Sequence, residues 1–133
     1  MPDRDEELIS RLRRGYEAFN RGDFDAALDM IHPEFEFARP GAQSAVRGAA
    51  AFREWMEPDA FEEQRIEPID FRVNGNRVLV HQHATARGSG SGIELDVRSW
   101  AVWTMDDEGL ALRLEGYQAR EEAKALEAAG LSE

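Results

Sequence analysis

Several side chains in this sequence have the chemistry to act on a small molecule: a guanidinium at Arg39, a carboxylate at Glu67, imidazoles at His81 and His83, and a phenol at Tyr16. Each depends on where its backbone aims it. Arg39 ends the alternating run Glu34-Phe35-Glu36-Phe37-Ala38, and alternation puts it on the face of the two phenylalanines. A guanidinium stays protonated at neutral pH, so Arg39 cannot abstract a proton. It can instead clamp a carboxylate or phosphate through paired N–H donors. The competing reading is an ion pair with a carboxylate such as Glu67, or a side chain laid along a rim with its charge in water. Glu67 is the one carboxylate that alternation carries into an apolar row, beside Ile69, Phe71 and Val73, where it would serve as a general base. A bulge at Pro68 would invert that parity and return Glu67 to water. His81 and His83 share one strand face. They act as acid or base only if their strand's parity is inverted; otherwise they lie on the outer face with Arg98, Trp100, Glu115 and Tyr117. No nearby Cys or carboxylate supplies a clear third ligand beside them, so no metal site is expected. His32, before Pro33, reads as a local hydrogen-bonding residue.

The elements that must position these groups follow from periodicity. A helix is predicted from Arg4 to Asn20, opened by Asp3 and Glu6 in a capping-box pattern and buried along Leu8, Leu12, Tyr16 and Phe19. Gly22 ends it and Asp23 caps a short second helix carrying Phe24, Ala27, Leu28 and Ile31. A strand over about 34–39 precedes a loop marked by Pro40, Gly41 and Gly48. A third helix over about 48–57 presents Phe52, Trp55 and Met56 before Pro58. Four strands follow: 64–73, a hairpin at Asn74-Gly75, 77–87, 93–105 and 110–117; a helix over 121–129 closes the chain. Helices early and a meander late predict an α+β domain with helices over one sheet face.

Alternation sorts the strands into two rows. The inner row holds Ile93, Leu95, Val97, Ser99, Ala101, Trp103 and Met105 on the long strand, Val78, Val80, Gln82, Ala84 and Ala86 on its neighbour, and Leu112, Leu114 and Gly116 on the last. Among apolar walls its polar members are Arg39, Gln82, Ser99 and, parity permitting, Glu67. That is the composition of a small-molecule pocket. Expected ligand-binding residues are Tyr16, Phe19, Phe35, Phe37, Arg39, Trp55, Gln82, Ser99 and Trp103. The outer row, with Trp100, Val102 and Tyr117, suits a homodimer interface.

The length of 133 residues suits one domain, 1–133, with enough chain for a core and a cavity. The absence of cysteine excludes disulfides and thiolate metal sites. A net charge of −11 repels phosphate backbones and anionic lipid, so nucleic acid and membrane are not expected partners. With no signal-like segment at the N-terminus, a cytoplasmic protein is expected.

The stretches YEAFNRGDFDAAL at 16–28, HPEFEF at 32–37, VRG at 46–48, SGIELDV at 91–97, AVWTMDDEG at 101–109 and REEAKALEAAGL at 120–131, in this order, resemble the nuclear transport factor 2-like superfamily and, within it, the SnoaL-like proteins. The resemblance implies a strongly bent, mainly antiparallel sheet wrapped around N-terminal helices as a cone with an internal pocket, often in a homodimer. It spans ketosteroid isomerases, scytalone dehydratase, limonene epoxide hydrolase, polyketide cyclases and non-catalytic modules, so the fold alone does not decide the function. Arg39-Pro40 falls where ketosteroid isomerases have Asp-Pro, their second acid falls near Ala101, and their catalytic tyrosine falls near Gly15, one place from Tyr16. These departures exclude steroid isomerase chemistry. Asp96 and Arg98 resemble the Asp/Arg grouping of limonene epoxide hydrolase, but alternation points them outwards. Scytalone dehydratase uses histidines in its pocket, which keeps His81 and His83 as candidates. Two readings stand. One is a cofactor-independent acid/base enzyme of isomerase, cyclase or hydrolase type using Glu67, His81 or His83. The other is a non-catalytic ligand-binding or dimeric assembly module. Both take a small, largely apolar ligand, with an anionic group favoured by Arg39.

Overall fold

The computed structural model describes residues 3–38, 46–56, 61–88 and 94–131, with the side chains of all of these except 55, 56 and 61–63. Helix α1 is Arg4–Asn20; Asp3 caps it, its side chain accepting the Glu6 N–H at 2.8 Å. Leu8, Leu12 and Tyr16, one turn apart, are buried. Gly22, at φ 80°, lets the chain reverse. Asp23 then caps α2 (Phe24–Ala27), which tightens into a 3₁₀ turn over Leu28–Met30. Strands β1 (Ile31–Ala38) and β2 (Val46–Arg47) precede α3 (Ala49–Met56). The meander follows as β3 (Phe61–Asn74), β4 (Arg77–Gly88), β5 (Glu94–Met105) and β6 (Ala111–Gln118), and then α4 (Glu122–Ala129). His32 has the local role expected of it, its Nδ1 accepting the Glu34 N–H at 3.0 Å. Strand β2 lies in the stretch expected to be loop; two residues are too few for alternation to reveal.

The strands form one curled, unclosed sheet in the order β2-β1-β6-β5-β4-β3, antiparallel throughout except that β1 runs parallel to β6. The α+β expectation therefore holds, with a mixed sheet. Its middle is apolar on both faces. Val78, Val80, Ala101, Trp103 and Leu114 turn inwards and pack with Leu8, Leu12, Tyr16, Phe35 and Phe52. Leu79 and Val102 turn outwards and pack under Ala125, Leu126 and Ala129 of α4. Continuous apolar runs at 78–80 and 101–103 are what burial on both faces requires. Helix α4 is seated by the β3–β4 hairpin: Asn74 Nδ2 donates to the carbonyls of Ala129 and Gly130 at 2.9 and 3.0 Å, and Arg77 Nη1 to that of Ala128 at 2.9 Å. These donors satisfy carbonyls that a helix end leaves open.

Four sequence expectations are corrected here. Val102, assigned to a homodimer interface with Trp100 and Tyr117, is fully buried beneath the chain's own α4. Glu67 does not join the inner row. The β3–β4 register shifts between Pro68 and Asp70, leaving Ile69 as the extra residue, 48% exposed. Upstream of this bulge the parity inverts, so Ile66 and not Glu67 faces in. Finally, the inner row outruns its cover: Leu95 and Val97 are 44% and 52% exposed. A second shift between Thr104 and Met105 pairs Met105 with Ala111, so Ala111 enters the core in place of Leu112.

Candidate functional site

A cavity of about 170 Å³ lies between α1 and the inner face of the sheet. Helix α1 contributes Gly15, Tyr16 and Phe19; the turn that follows α2 contributes Met30, and β1 contributes Ile31 and Phe37. The sheet contributes Ile66, Gln82, Ser99, Ala101, Trp103, Leu114 and Gly116, with Phe52 from α3 and Ala27 from α2; Trp100 and Tyr117 complete the wall. The edge strand is held to the helix by Asn20, whose amide donates to the Ile66 carbonyl at 2.8 Å and accepts the Ile66 N–H at 2.7 Å. That pairing satisfies open backbone groups of an edge strand and sets Ile66 against the cavity.

Across this apolar wall runs a directed row of hydrogen bonds. Trp103 Nε1 donates to Tyr16 Oη at 3.1 Å, Tyr16 Oη donates to Gln82 Oε1 at 2.7 Å, and Gln82 Nε2 donates to Ser99 Oγ at 3.1 Å. Gln82 and Ser99 are cross-strand partners on β4 and β5. The Tyr16 ring is fixed edge-on to Trp103 at 6.1 Å and to Phe71 at 6.4 Å. None of the described residues of this wall is a carboxylate, histidine, lysine or arginine; its ionisable members are the two tyrosines.

Burial pushes the Tyr16 phenol far above its ordinary value, an effect that the Trp103 hydrogen bond only partly offsets. Tyr117 is pushed up to about 12, first by burial and then by its hydrogen bond to Glu115, at 2.9 Å, and that carboxylate's charge. The chain has only two tyrosines. The folded state holds both phenol protons more tightly than the unfolded state, whose phenols titrate near 10. The stabilisation they contribute is therefore complete below about pH 10 and lost as the pH climbs towards 12 and beyond. Phenolate absorbance should be nearly absent from the native protein at about pH 10, while the urea-unfolded chain shows both tyrosines half ionised there. Two phenols titrating near pH 10 in the native protein would contradict this burial.

Of the residues expected to bind ligand, Tyr16, Phe19, Phe37, Gln82, Ser99 and Trp103 lie on the cavity wall. Phe35 does not. It is fully buried behind the wall, its ring 4.7 Å from that of Phe52 and 6.3 Å from that of Trp103. Arg39 and the side chain of Trp55 lie outside the described residues. The acid/base candidates stand away from the cavity. Glu67, its side chain 50% exposed, pairs with Arg65. His81 stacks on Trp100 on the outer face, at 4.1 Å and 13°. His83 Nε2 lies 2.5 Å from Asp96 Oδ1, also on exposed outer-face side chains. No group of metal-binding residues occurs among the described residues. Reasoning from the sequence missed Gly15, Met30 and Ile66. The inner parity of Ile66 became readable only with the bulge at Ile69, and nothing in the helix pattern marks Gly15, where an added Cβ would meet Met30 Sδ at 2.8 Å.

Helices over one face of a curled mixed sheet, with an apolar cavity between them, define the nuclear transport factor 2-like architecture. The chain belongs to the SnoaL-like domain family, whose model matches residues 12–113. Solved structures agree. TerC, co-crystallised with polyporic acid, is 25% identical with a TM-score of 0.73, the match covering 92% of this chain and 96% of TerC. SalBIII, described as an epoxide hydrolase/cyclase-like enzyme in pyran ring formation in the polyether salinomycin, is 20% identical with a TM-score of 0.78, covering 87% and 93%. A Δ5-3-ketosteroid isomerase from Mycobacterium sp. is 16% identical with a TM-score of 0.71, covering 86% and 94%. No curated protein matches the chain. No helix among the described residues is long and apolar enough to cross a membrane.

Proposed function

We propose that this chain binds a small, largely apolar molecule in the cavity between α1 and the sheet, with the ligand's polar end against Gln82 and Ser99. The observation that carries this reading is the wall itself: apolar and aromatic throughout, crossed by one row of hydrogen-bonding groups. That is how a site combines affinity from burial with orientation from a few polar contacts. The volume sets the size of the ligand. About 170 Å³ is close to a cavity of ~150 Å³ that accepts benzene, and smaller than the roughly 300–1,000 Å³ typical of drug-sized sites. One ring with a short substituent fits. TerC, crystallised with polyporic acid, supports the use of this fold to hold a small organic molecule.

The described wall supports binding and orientation over proton abstraction, because it offers no carboxylate or imidazole within reach of a ligand. SalBIII, an enzyme on the same fold, keeps the enzymatic reading as the alternative; it requires a base from outside the described residues. Binding is tested by thermal unfolding with single-ring aromatic compounds, phenol to acetophenone, and by the fluorescence of Trp103 at the wall. A ligand selective for the folded state at about 100 times its Kd stabilises by ~2.7 kcal/mol, a rise in Tm of about 5–10 °C. No saturable shift in either signal for any member of the series would defeat the proposal.

A further inference from the structure

We infer that the ligand presents a neutral hydrogen-bond acceptor, the carbonyl oxygen of a ketone, quinone or ester, to the Ser99 hydroxyl, because the hydrogen-bond row starting at Trp103 can run in only one direction. The inference rests on the cavity reading above and adds to it the chemistry of the ligand's polar end.

The direction follows from donor capacity. An indole N–H donates and never accepts. Trp103 Nε1 therefore occupies a lone pair of Tyr16 Oη, at 3.1 Å. The phenol's own proton must point elsewhere, and the Gln82 carbonyl oxygen is 2.7 Å away. This sets the amide: Oε1 faces Tyr16, and Nε2 is left to face Ser99 Oγ at 3.1 Å. Burial keeps the Tyr16 phenol protonated, so the row does not reverse by ionisation. At its end Ser99 has accepted one hydrogen bond and has no acceptor for its own proton among the described residues. Each link polarises the next, so the terminal O–H is a better donor than an isolated serine hydroxyl. A ligand ending in an acceptor completes the row. One ending in an ammonium could use only the second lone pair of Ser99 Oγ and would leave the Ser99 proton without an acceptor, even though the chain's net charge of −11 would attract it at long range.

Acetophenone and α-methylstyrene have nearly the same shape and differ in a C=O against a C=CH₂, so their relative affinity isolates the acceptor. The Kd values of both are measured by calorimetry for the parent chain, Ser99→Ala, Ser99→Thr and Tyr16→Phe. In Ser99→Ala the ratio of affinities should move at least about fivefold towards the alkene, since a hydrogen-bond partner is removed while the apolar contacts stay. Ser99→Thr, which keeps the hydroxyl, should retain the parent's ratio. Tyr16→Phe, which releases the Gln82 amide to turn, should lose part of the preference with Ser99 intact. An unchanged ratio in Ser99→Ala, with both probes still bound, overturns the acceptor inference and leaves the cavity reading standing. Binding of neither probe to the parent overturns both.

Discussion

A Phe35→Ala variant is expected to unfold about 10–20 °C below the parent chain, a loss of about 3–5 kcal/mol. Phe35 is fully buried and sits between Phe52 of α3 and Trp103 of β5, with Phe37 5.5 Å from the same Phe52 ring. Its removal forfeits the transfer free energy of an aromatic ring and leaves a hollow that rigid neighbours cannot fill. For a domain stable by roughly 5–15 kcal/mol this is a large fraction. The hollow would open behind the cavity wall, since Phe52 and Trp103 both line the ligand site. The variant should therefore also lose its discrimination against ligands larger than one ring. Chemical denaturation followed by circular dichroism measures the stability. A loss below about 1 kcal/mol would mean that the ring is not packed between α3 and the sheet.

Val102→Asp should cost about as much, by a different route. Val102 is buried on the outer face beneath Ala125, Leu126 and Ala129. A carboxylate there has no hydrogen-bonding partner, and burying it unpaired costs several kcal/mol unless α4 lifts away. The expected result is a loss of about 3–5 kcal/mol and fast amide exchange over 122–129. Val102→Ala, which removes only methyl groups, should cost roughly 2 kcal/mol. The loss caused by the substitution should not depend on protein concentration, because the Val102 contact is made within one chain. If Val102 instead lay between two copies, dilution of the parent would lower the midpoint and the variant would abolish that dependence.

Much of the candidate site was legible because β4 and β5 are regular over the relevant stretch. Gln82, Ser99 and Trp103 follow from counting in twos along them, and Tyr16 from counting turns of α1. The count failed where a strand gains a residue. Pro68 signalled an irregularity, but the bulge falls at Ile69, and its position decides which of Ile66 and Glu67 faces the cavity. Phe35 and Phe37 show a different gap. Both point inwards, as alternation requires, yet one fills the core and the other lines the hollow. That division depends on how much space α3 and the sheet leave between them, a sum over residues distant in the chain.

What the sequence by itself determined is the main elements and, where the strands are regular, the face on which a side chain stands: α1 from Asp3 to Gly22, the meander, and a row of Tyr16, Gln82, Ser99 and Trp103 turned inwards. These follow from sterics and hydrogen bonding within a few residues, which act the same way in any fold. Only the tertiary structure decided what lies opposite each face. It placed α4 over Val102, paired β1 in parallel with β6, and brought Trp103, Tyr16, Gln82 and Ser99 into one directed row. Those contacts join residues up to 87 positions apart. Their selection depends on chain closure and packed volume, which no local period encodes.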